Sequence, residues 1–427
     1  MILRIVYYYF KTLILQRSFK SREQLLRYQQ KKFKALVKNT LSKSPFYKDY
    51  LDKPFEQWPI INKQIMMEHF DSINTVGIKM NDALNLALKA EQSRDFTALI
   101  DDIAVGLSSG TTSQRGLFLV SSKERSMWAG ILLAKVLPSG LKTHERIAFF
   151  LRANNKLYMT LNKSKKIQFT FFDLLEDFDT QIDRLNALQP TILSAPASVL
   201  VALSKQINRL TISPKKIYSV AEVLDQYDEA IIKNAFKCDV SQVYQCTEGF
   251  LAVSDKRTNR LTMNEEYLII EKDWLDEHRF IPIITDLLRT TQPMIRYRLD
   301  DVLIDAQSGH LFTQLSAIEG RVGDICYGVK EDTVIPVFAD LIRQQMASFP
   351  IIFEDYRITQ SGLYEYNIQT LPELKEKEAL ILHLNQLFVS KNCTLPAWTW
   401  SQFEHNQKGV KTRRIQCMMD VKPLMSV

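Results

Sequence analysis

The chain has 427 residues, 46% of them hydrophobic and 24% charged, with a formal net charge of +7. That balance excludes a disordered chain, and basic residues spread along the sequence exclude a nucleic-acid-binding footprint. Five cysteines (Cys238, Cys246, Cys326, Cys393, Cys417) form no C-x-x-C pair, which fits a reducing, cytoplasmic setting better than a disulfide framework.

Met1 to Gln16 is very apolar, but Arg4 and Lys11 interrupt it and leave a run too short to span a bilayer. The segment has no small-residue cleavage pattern after it. Two placements stay open: a helix docked on the body, or an interfacial helix touching a membrane surface through its aromatic side. Residues 20–100 are predicted mainly helical. Arg22 to Leu41 has helical apolar spacing, Pro45, Pro54 and Pro59 break the pattern, and helical segments resume after Ile61. Residues 1–100 therefore form a helical N-terminal region of a large domain.

From about Ile103 short β-rich runs alternate with amphipathic segments. Strands are predicted at Ile147–Leu151, Ile167–Phe172, Thr191–Ser194, Lys216–Val220 and Val240–Tyr244. Helices are predicted at Leu174–Leu188 and Ala197–Leu210. The alternation argues for an α/β class with parallel strands, and residues 101–321 are assigned to its core. Residues 322–427, with helical patterns at Val337–Met346 and Glu373–Val389, have the size of a small second domain of mixed helices and strands.

The loop Gly106-Leu-Ser-Ser-Gly-Thr-Thr-Ser-Gln-Arg-Gly116 is the most distinctive feature. It holds three of the chain's 13 glycines. Successive N–H groups and hydroxyls in such a loop make a concavity for anions, although Gly/Ser loops also serve as plain connectors. A Walker loop fails on spacing, and no G-x-G-x-x-G occurs. Gly106-x-Ser108-x-Gly110 matches a hydrolase nucleophile elbow, which requires a strand before and a helix after. The run after the loop, Leu117–Val120, has β character.

In open α/β sheets, ligands bind beyond the carboxyl ends of strands. Three predicted strands end in polar clusters: Arg152-Ala-Asn-Asn155, Ala221-Glu222, and Gln245-Cys-Thr247-Glu248-Gly249.

Ser108-Ser-Gly-Thr-Thr-Ser113, Tyr244-Gln-Cys-Thr-Glu-Gly249, Arg296-Tyr-Arg-Leu-Asp-Asp301 and Gly320-Arg-Val-Gly-Asp324, in this order, resemble the core motifs of adenylate-forming enzymes. The resemblance covers nearly the whole chain. It is closest to the phenylacetate–coenzyme A ligase-like branch and, within it, to proteins related to the synthetase that adenylates a deazaflavin cofactor. Ser44-Pro-Phe-Tyr47, Pro59-Ile-Ile-Asn-Lys63, Met66-Met-Glu-His-Phe70 and Pro282-Ile-Ile-Thr-Asp-Leu-Leu-Arg289 add to it. The resemblance implies a large N-terminal α/β domain with a mobile C-terminal cap. It also implies an ATP-dependent ligase that releases pyrophosphate, with coenzyme A or a carrier protein as a further partner of the small-molecule acid.

Roles are implied residue by residue. Ser108, Ser109, Gly110, Thr111, Thr112 and Ser113 would cradle phosphates. Glu222 and Tyr244 would adjoin the nucleotide base. Thr247 would meet the α-phosphate, and Glu248 would hold magnesium. Asp301 would accept from both ribose hydroxyls, Arg321 would hold the ribose and phosphate edge, and Lys411 would reach the α-phosphate. Arg152, Asn154, Asn155 and Tyr158 would line the acid pocket, favouring a polar or acidic substrate.

The chain also departs from the family. Val220-Ala221-Glu222 replaces the usual Gly-Gly-Glu or Gly-Ala-Glu. Arg115 stands where a Lys often follows the loop. Ser254 and Thr262 occupy positions where zinc ligands are anticipated, so no structural zinc is expected. Gly323 stands at the hinge position. A catalytically silent nucleotide-binding protein and a Ser hydrolase remain as alternatives.

Overall fold

The computed structural model describes residues 1–93, 95, 98–108, 115–151, 166–351, 353–404 and 413–419. The chain divides into two compact units. The larger holds Met1–Leu299 and Ile304–Ala317; the smaller holds Asp300–Leu303 and Ile318–Val427.

The larger unit opens with helices α1 (Ile2–Ser18), α2 (Arg22–Asn39), α3 (Lys63–Glu68), α4 (Phe70–Ile73) and α5 (Met80–Ser93). Ser21 caps α2 by accepting from the Gln24 N–H, as an N-cap serine should. A small antiparallel sheet comes next, of β1 (Leu99–Ile100), β2 (Ile103–Leu107) and β3 (Leu117–Ser121). Ser121 then starts α6 (Ser122–Val136) with a reciprocal capping box to Glu124.

Among the described residues, a sheet of twelve strands follows. Its parallel part comprises β4 (Glu145–Leu151), β5 (Ile167–Asp173), β6 (Ile192–Ala195), β7 (Lys216–Val220) and β8 (Val240–Gln245), in the order β5-β4-β6-β7-β8. The chain passes from β5 back across β4 to β6, so the winding reverses beside β4. Antiparallel strands extend the sheet from β8: β9 (Phe250–Ser254), then β10 (Leu261–Met263). Beyond them come β11 (Leu268–Trp274), β12 (Arg279–Asp286), β13 (Tyr297–Arg298), β14 (Asp301–Asp305) and β15 (Gln314–Arg321), of which Asp301–Leu303 and Ile318–Arg321 belong to the smaller unit.

Alternation along each parallel strand builds two cores, one on each face. Ile147 of β4 and Ile192 of β6 pack with Ile5, Tyr9, Ala129 and Leu133 of α1 and α6. Their neighbours Ala148 and Leu193 pack on the other face with Ile182, Leu200 and Ile232. Those three come from the helices Phe178–Leu188, Ala197–Lys205 and Gln226–Phe236. The α/β expectation holds, and all five predicted parallel strands are present.

Helix boundaries shift for local reasons. The predicted Leu174–Leu188 begins at Phe178, because Asp177 accepts from the N–H groups of Asp179 and Thr180 and sets the cap. The predicted Ala197–Leu210 stops at Lys205 and continues as a 3-10 turn, Ile207–Arg209.

The smaller unit has a two-stranded sheet, β16 (Cys326–Lys330) with β17 (Thr333–Val337). A four-stranded sheet in the order β20-β19-β18-β21 is made of β18 (Asp355–Gly362), β19 (Glu365–Leu371), β20 (Ala397–Trp400) and β21 (Ile415–Cys417). Helices Ala339–Ser348 and Lys377–Ser390 supply Ile342, Met346, Leu380, Leu384 and Phe388 to its core.

Candidate active site

The ends of β7 and β8 lie side by side, since Val220 pairs with Val243 in parallel register. Ala221-Glu222 and Cys246-Thr247-Glu248 therefore follow neighbouring strand ends. Past β8 the chain turns tightly: the Cys246 N–H donates to the Gly249 carbonyl at 3.0 Å, and the Gly249 N–H returns to Cys246 at 3.3 Å. Thr247 and Glu248 form the tip of that turn, and both are half-buried.

Two side chains hold the turn. The buried Arg289 guanidinium donates to the carbonyl oxygens of Thr247 at 2.8 Å, Glu248 at 3.2 Å and Leu119 at 3.2 Å. The Tyr297 hydroxyl donates to Glu248 Oε1 at 3.1 Å. The carboxylate is thereby aimed by a phenol while its backbone is clamped by a cation.

Arg289 is itself fixed by two buried carboxyls. Asp286 Oδ1 accepts from the Leu288 and Arg289 N–H groups at 2.8 and 3.1 Å, and burial pushes its carboxyl up to about 6. Glu124 accepts from the Thr290 and Thr291 N–H groups at 2.6 and 2.9 Å. Burial would raise the Glu124 carboxyl. The hydrogen bonds from Thr291 and Ser121, with the Arg289 charge, outweigh it and hold the group below the usual range.

The end of β7 carries backbone strain. Ala221 has φ +64°, a region sparsely open to a residue with a Cβ, and the Glu222 N–H closes onto the Val220 carbonyl at 2.8 Å. Strain of this kind gathers at functional sites. The Glu222 carboxylate accepts from the Ser198 N–H at 2.9 Å and so caps helix Ala197–Lys205. Tyr244 is buried within β8 opposite Ala252.

Ser108 closes the base of its loop. Its N–H donates to the Gly116 carbonyl, and its Oγ accepts from the Gly116 N–H, each at 2.8 Å. Arg115 donates to the Ser108 carbonyl at 3.0 Å and pairs with Glu91 at 2.5 Å. Strands β2 and β3 flank the loop as an antiparallel pair, Leu107 opposite Leu117. A nucleophile elbow joins a strand to a helix, so the Ser-hydrolase reading at Ser108 is corrected: this loop joins two strands. Ser109, Gly110, Thr111, Thr112 and Ser113 lie outside the described residues. So do Arg152, Asn154, Asn155, Tyr158 and Lys411.

In the smaller unit, Arg321 Nε stands 3.9 Å from Asp301 Oδ1. The Arg321 N–H donates to Asp324 Oδ2 at 2.8 Å, and Arg413 donates to Asp324 Oδ1 at 2.8 Å. Gly323 sits in the 3-10 turn Val322–Asp324, inside this unit.

Known proteins share this architecture. The structure of 2-hydroxyisobutyryl-CoA ligase in the postadenylation state with 2-HIB-AMP superposes with a TM-score of 0.66 and 13% identity, over 92% of this chain and 89% of that one. The amide bond synthetase McbA from Marinactinospora thermotolerans gives 0.54 at 10% identity, over 76% and 69%. The anthranilate CoA ligase AuaEII with anthranoyl-AMP gives 0.51 at 15%, over 74% and 66%. The chain has the fold of the adenylate-forming ligases. Protein CapK of Staphylococcus aureus is 26% identical over 130 residues, which is 30% of this chain and 29% of CapK. That match spans less than a third of either protein. No family model matches.

Within the adenylate-forming fold, sequence reasoning did not assign roles to Arg289, Asp286, Tyr297 or Glu124. A signal was present for the first two: Thr285-Asp286 closes an apolar strand in a polar cluster, as the other three strand ends do. Glu124 gave none beyond its spacing from Ser121, because its partners lie far away in sequence.

Proposed function

We propose that this protein is an ATP-dependent adenylating ligase. The observation that carries the reading is the Thr247–Glu248 turn, held by Arg289 and Tyr297 at the carboxyl end of β8. It presents a hydroxyl and an oriented carboxylate beyond the carboxyl end of a parallel strand, the side of an open α/β sheet on which ligands bind.

In the first step a substrate carboxylate oxygen attacks the α-phosphorus of ATP. The bond from that phosphorus to the bridging oxygen breaks, and pyrophosphate leaves with the electron pair, giving an acyl-adenylate. Thr247 donates to an α-phosphate oxygen. Residues 108–113 receive the departing phosphates. Asp301 binds the ribose hydroxyls, Arg321 the ribose and phosphate edge, and Lys411 the attacking and α-phosphate oxygens. Tyr244 and Glu222 border the base, with Glu222 acting through the helix it caps. Arg152, Asn154, Asn155 and Tyr158 line the acid pocket and favour a polar substrate. In a second step a thiol of coenzyme A or a carrier protein attacks the acyl carbon, AMP leaves, and the thiol proton is released.

Magnesium fits as a phosphate-borne ion. It is commonly held by one or two carboxylates plus phosphates and water, and Glu248 is such a carboxylate. No group of three His, Cys, Asp or Glu among the described residues would form a complete cage. When bound, the ion would offset phosphate charge.

The solved neighbours carrying acyl-AMP, and one also carrying CoA, support this chemistry for the fold. The phenylacetate–coenzyme A ligase-like motifs support that branch. ATP–pyrophosphate exchange over a panel of aromatic acids, fatty acids and phenolic cofactors tests the reading. Exchange with one of them is the expected result. ATP binding without exchange would identify a silent nucleotide-binding protein instead.

A further inference from the structure

Helix α1 is apolar on two sides. One side is docked. Ile5, Tyr9 and Thr12 are buried, and a Cβ on Gly130 of α6 would stand 2.4 Å from the Ile5 carbonyl oxygen. Thr12 Oγ1 lies 2.8 Å from the buried Tyr267 hydroxyl. The other side faces solvent. Leu3, Tyr7, Phe10 and Ile14 are 86, 59, 54 and 64% exposed, with Ile2 and Val6 beside them at 56 and 37%. Spacings of four, three and four put the first four residues on one line along the helix. Single exposed apolar residues are ordinary, but a contiguous row is not.

Charge is concentrated in the same stretch of the sequence. Basic residues occur throughout the chain, but their excess does not. Residues 1–39 hold ten Lys and Arg and one acid, Glu23, for a net +9. Taking these from the chain's 55 basic and 48 acidic residues leaves 45 and 47, a net −2. Arg22 and Arg27 are committed to Glu265 and Glu23. Arg4, Arg17, Lys20, Lys31 and Lys34 are exposed.

We propose that the exposed face of α1 seats the protein on an anionic bilayer surface. Leu3, Phe10 and Ile14 enter the boundary between headgroups and acyl chains, and the basic residues of α1 and α2 meet the anionic headgroups. No described helix is long and apolar enough to cross a membrane, so α1 lies in the interface plane. A second copy is a poor occupant, because a two-fold contact through this face would set one +9 segment against another.

Flotation of the full chain with vesicles tests the proposal, using phosphatidylcholine alone and phosphatidylcholine with phosphatidylglycerol. The wild type should float with the anionic vesicles, bind neutral ones weakly, and be released by high salt. A Leu3→Asp, Phe10→Asp double variant should lose about tenfold or more of its binding and keep its thermal midpoint and pyrophosphate exchange. An Arg17→Glu, Lys20→Glu variant should lose the anionic preference. Absence of flotation overturns the proposal, as does binding that none of these substitutions changes. A soluble dimer that Phe10→Asp dissociates, without flotation, also overturns it and assigns the face to a second copy.

Discussion

The Tyr297 hydroxyl reaches across from β13 to donate to Glu248 Oε1 at 3.1 Å. The residue on strand β13 and the one on the turn after β8 are thus coupled through a single hydrogen bond to a charged group. Such bonds are worth about 1.5–3 kcal/mol. Tyr297→Phe keeps the buried ring and removes only the donor. Pyrophosphate exchange in this variant should fall roughly tenfold with little change in thermal midpoint. An unchanged exchange rate would show that Glu248 needs no such orientation.

Arg289 serves three carbonyl oxygens from a buried position. Arg289→Met fills similar space but leaves those acceptors, and the buried carboxyls Asp286 and Glu124, without their cation. The loss should reach about 3 kcal/mol or more. Urea denaturation measures it. A wild-type midpoint would contradict the assignment of Arg289 as the clamp of the site.

Ala221 at φ +64° stores strain at the end of β7. Ala221→Gly relieves the Cβ but adds chain entropy on unfolding, so stability should stay within about 1 kcal/mol of wild type. Ala221→Val places a branched side chain where the backbone disfavours one and should cost about 2 kcal/mol or more. Equal midpoints for the Gly and Val variants would show that this turn holds no such strain.

Asp286 makes stability fall with rising pH over a defined window. Its carboxyl is raised from 3.8 to about 6, chiefly by burial. Between those values the unfolded chain releases a proton that the folded chain keeps, so folding binds protons and weakens as pH rises. Below the lower value there is no penalty; above the upper value it is complete. Asp286→Asn retains an acceptor oxygen for the Leu288 and Arg289 N–H groups and does not ionise. Its stability relative to wild type should rise from pH 4 to pH 6 and then level off. Parallel denaturation curves across that range would contradict a buried, proton-holding Asp286.

Strand identities were legible in the sequence because alternating apolar runs bury both faces of the sheet. Ile147 and Ala148 of β4 show why: adjacent residues serve opposite cores. Helix starts were less legible. Asp177 and its N-cap bonds decide where a helix begins, and apolar spacing does not register them. At the candidate site, Thr247 and Glu248 stood out as polar residues ending an apolar strand. Arg289 follows a similar polar strand end, but its tie to the turn, like that of Tyr297, did not show, since the two lie 41 and 49 residues beyond Glu248 and meet it only through the fold. Motif phrases far apart in sequence turn out to touch. The Arg296 guanidinium donates to the carbonyls of Glu56 and Trp58, each at 2.7 Å, and Ile61 exchanges backbone bonds with Arg296 and Arg298. The Pro59-Ile-Ile and Arg296-Tyr-Arg phrases thus lie against each other in the fold.

The most direct test of adenylation is ATP–pyrophosphate exchange by the wild type and by Glu248→Gln, with the acid that gives the highest rate. Glu248→Gln keeps size and hydrogen bonding but removes the charge. Loss of a preorganised group at developing charge lowers rate by about 100-fold or more. Adenylation at this turn predicts exchange in the wild type and a loss of that size in the variant, at an unchanged thermal midpoint. Wild-type exchange by Glu248→Gln would contradict it.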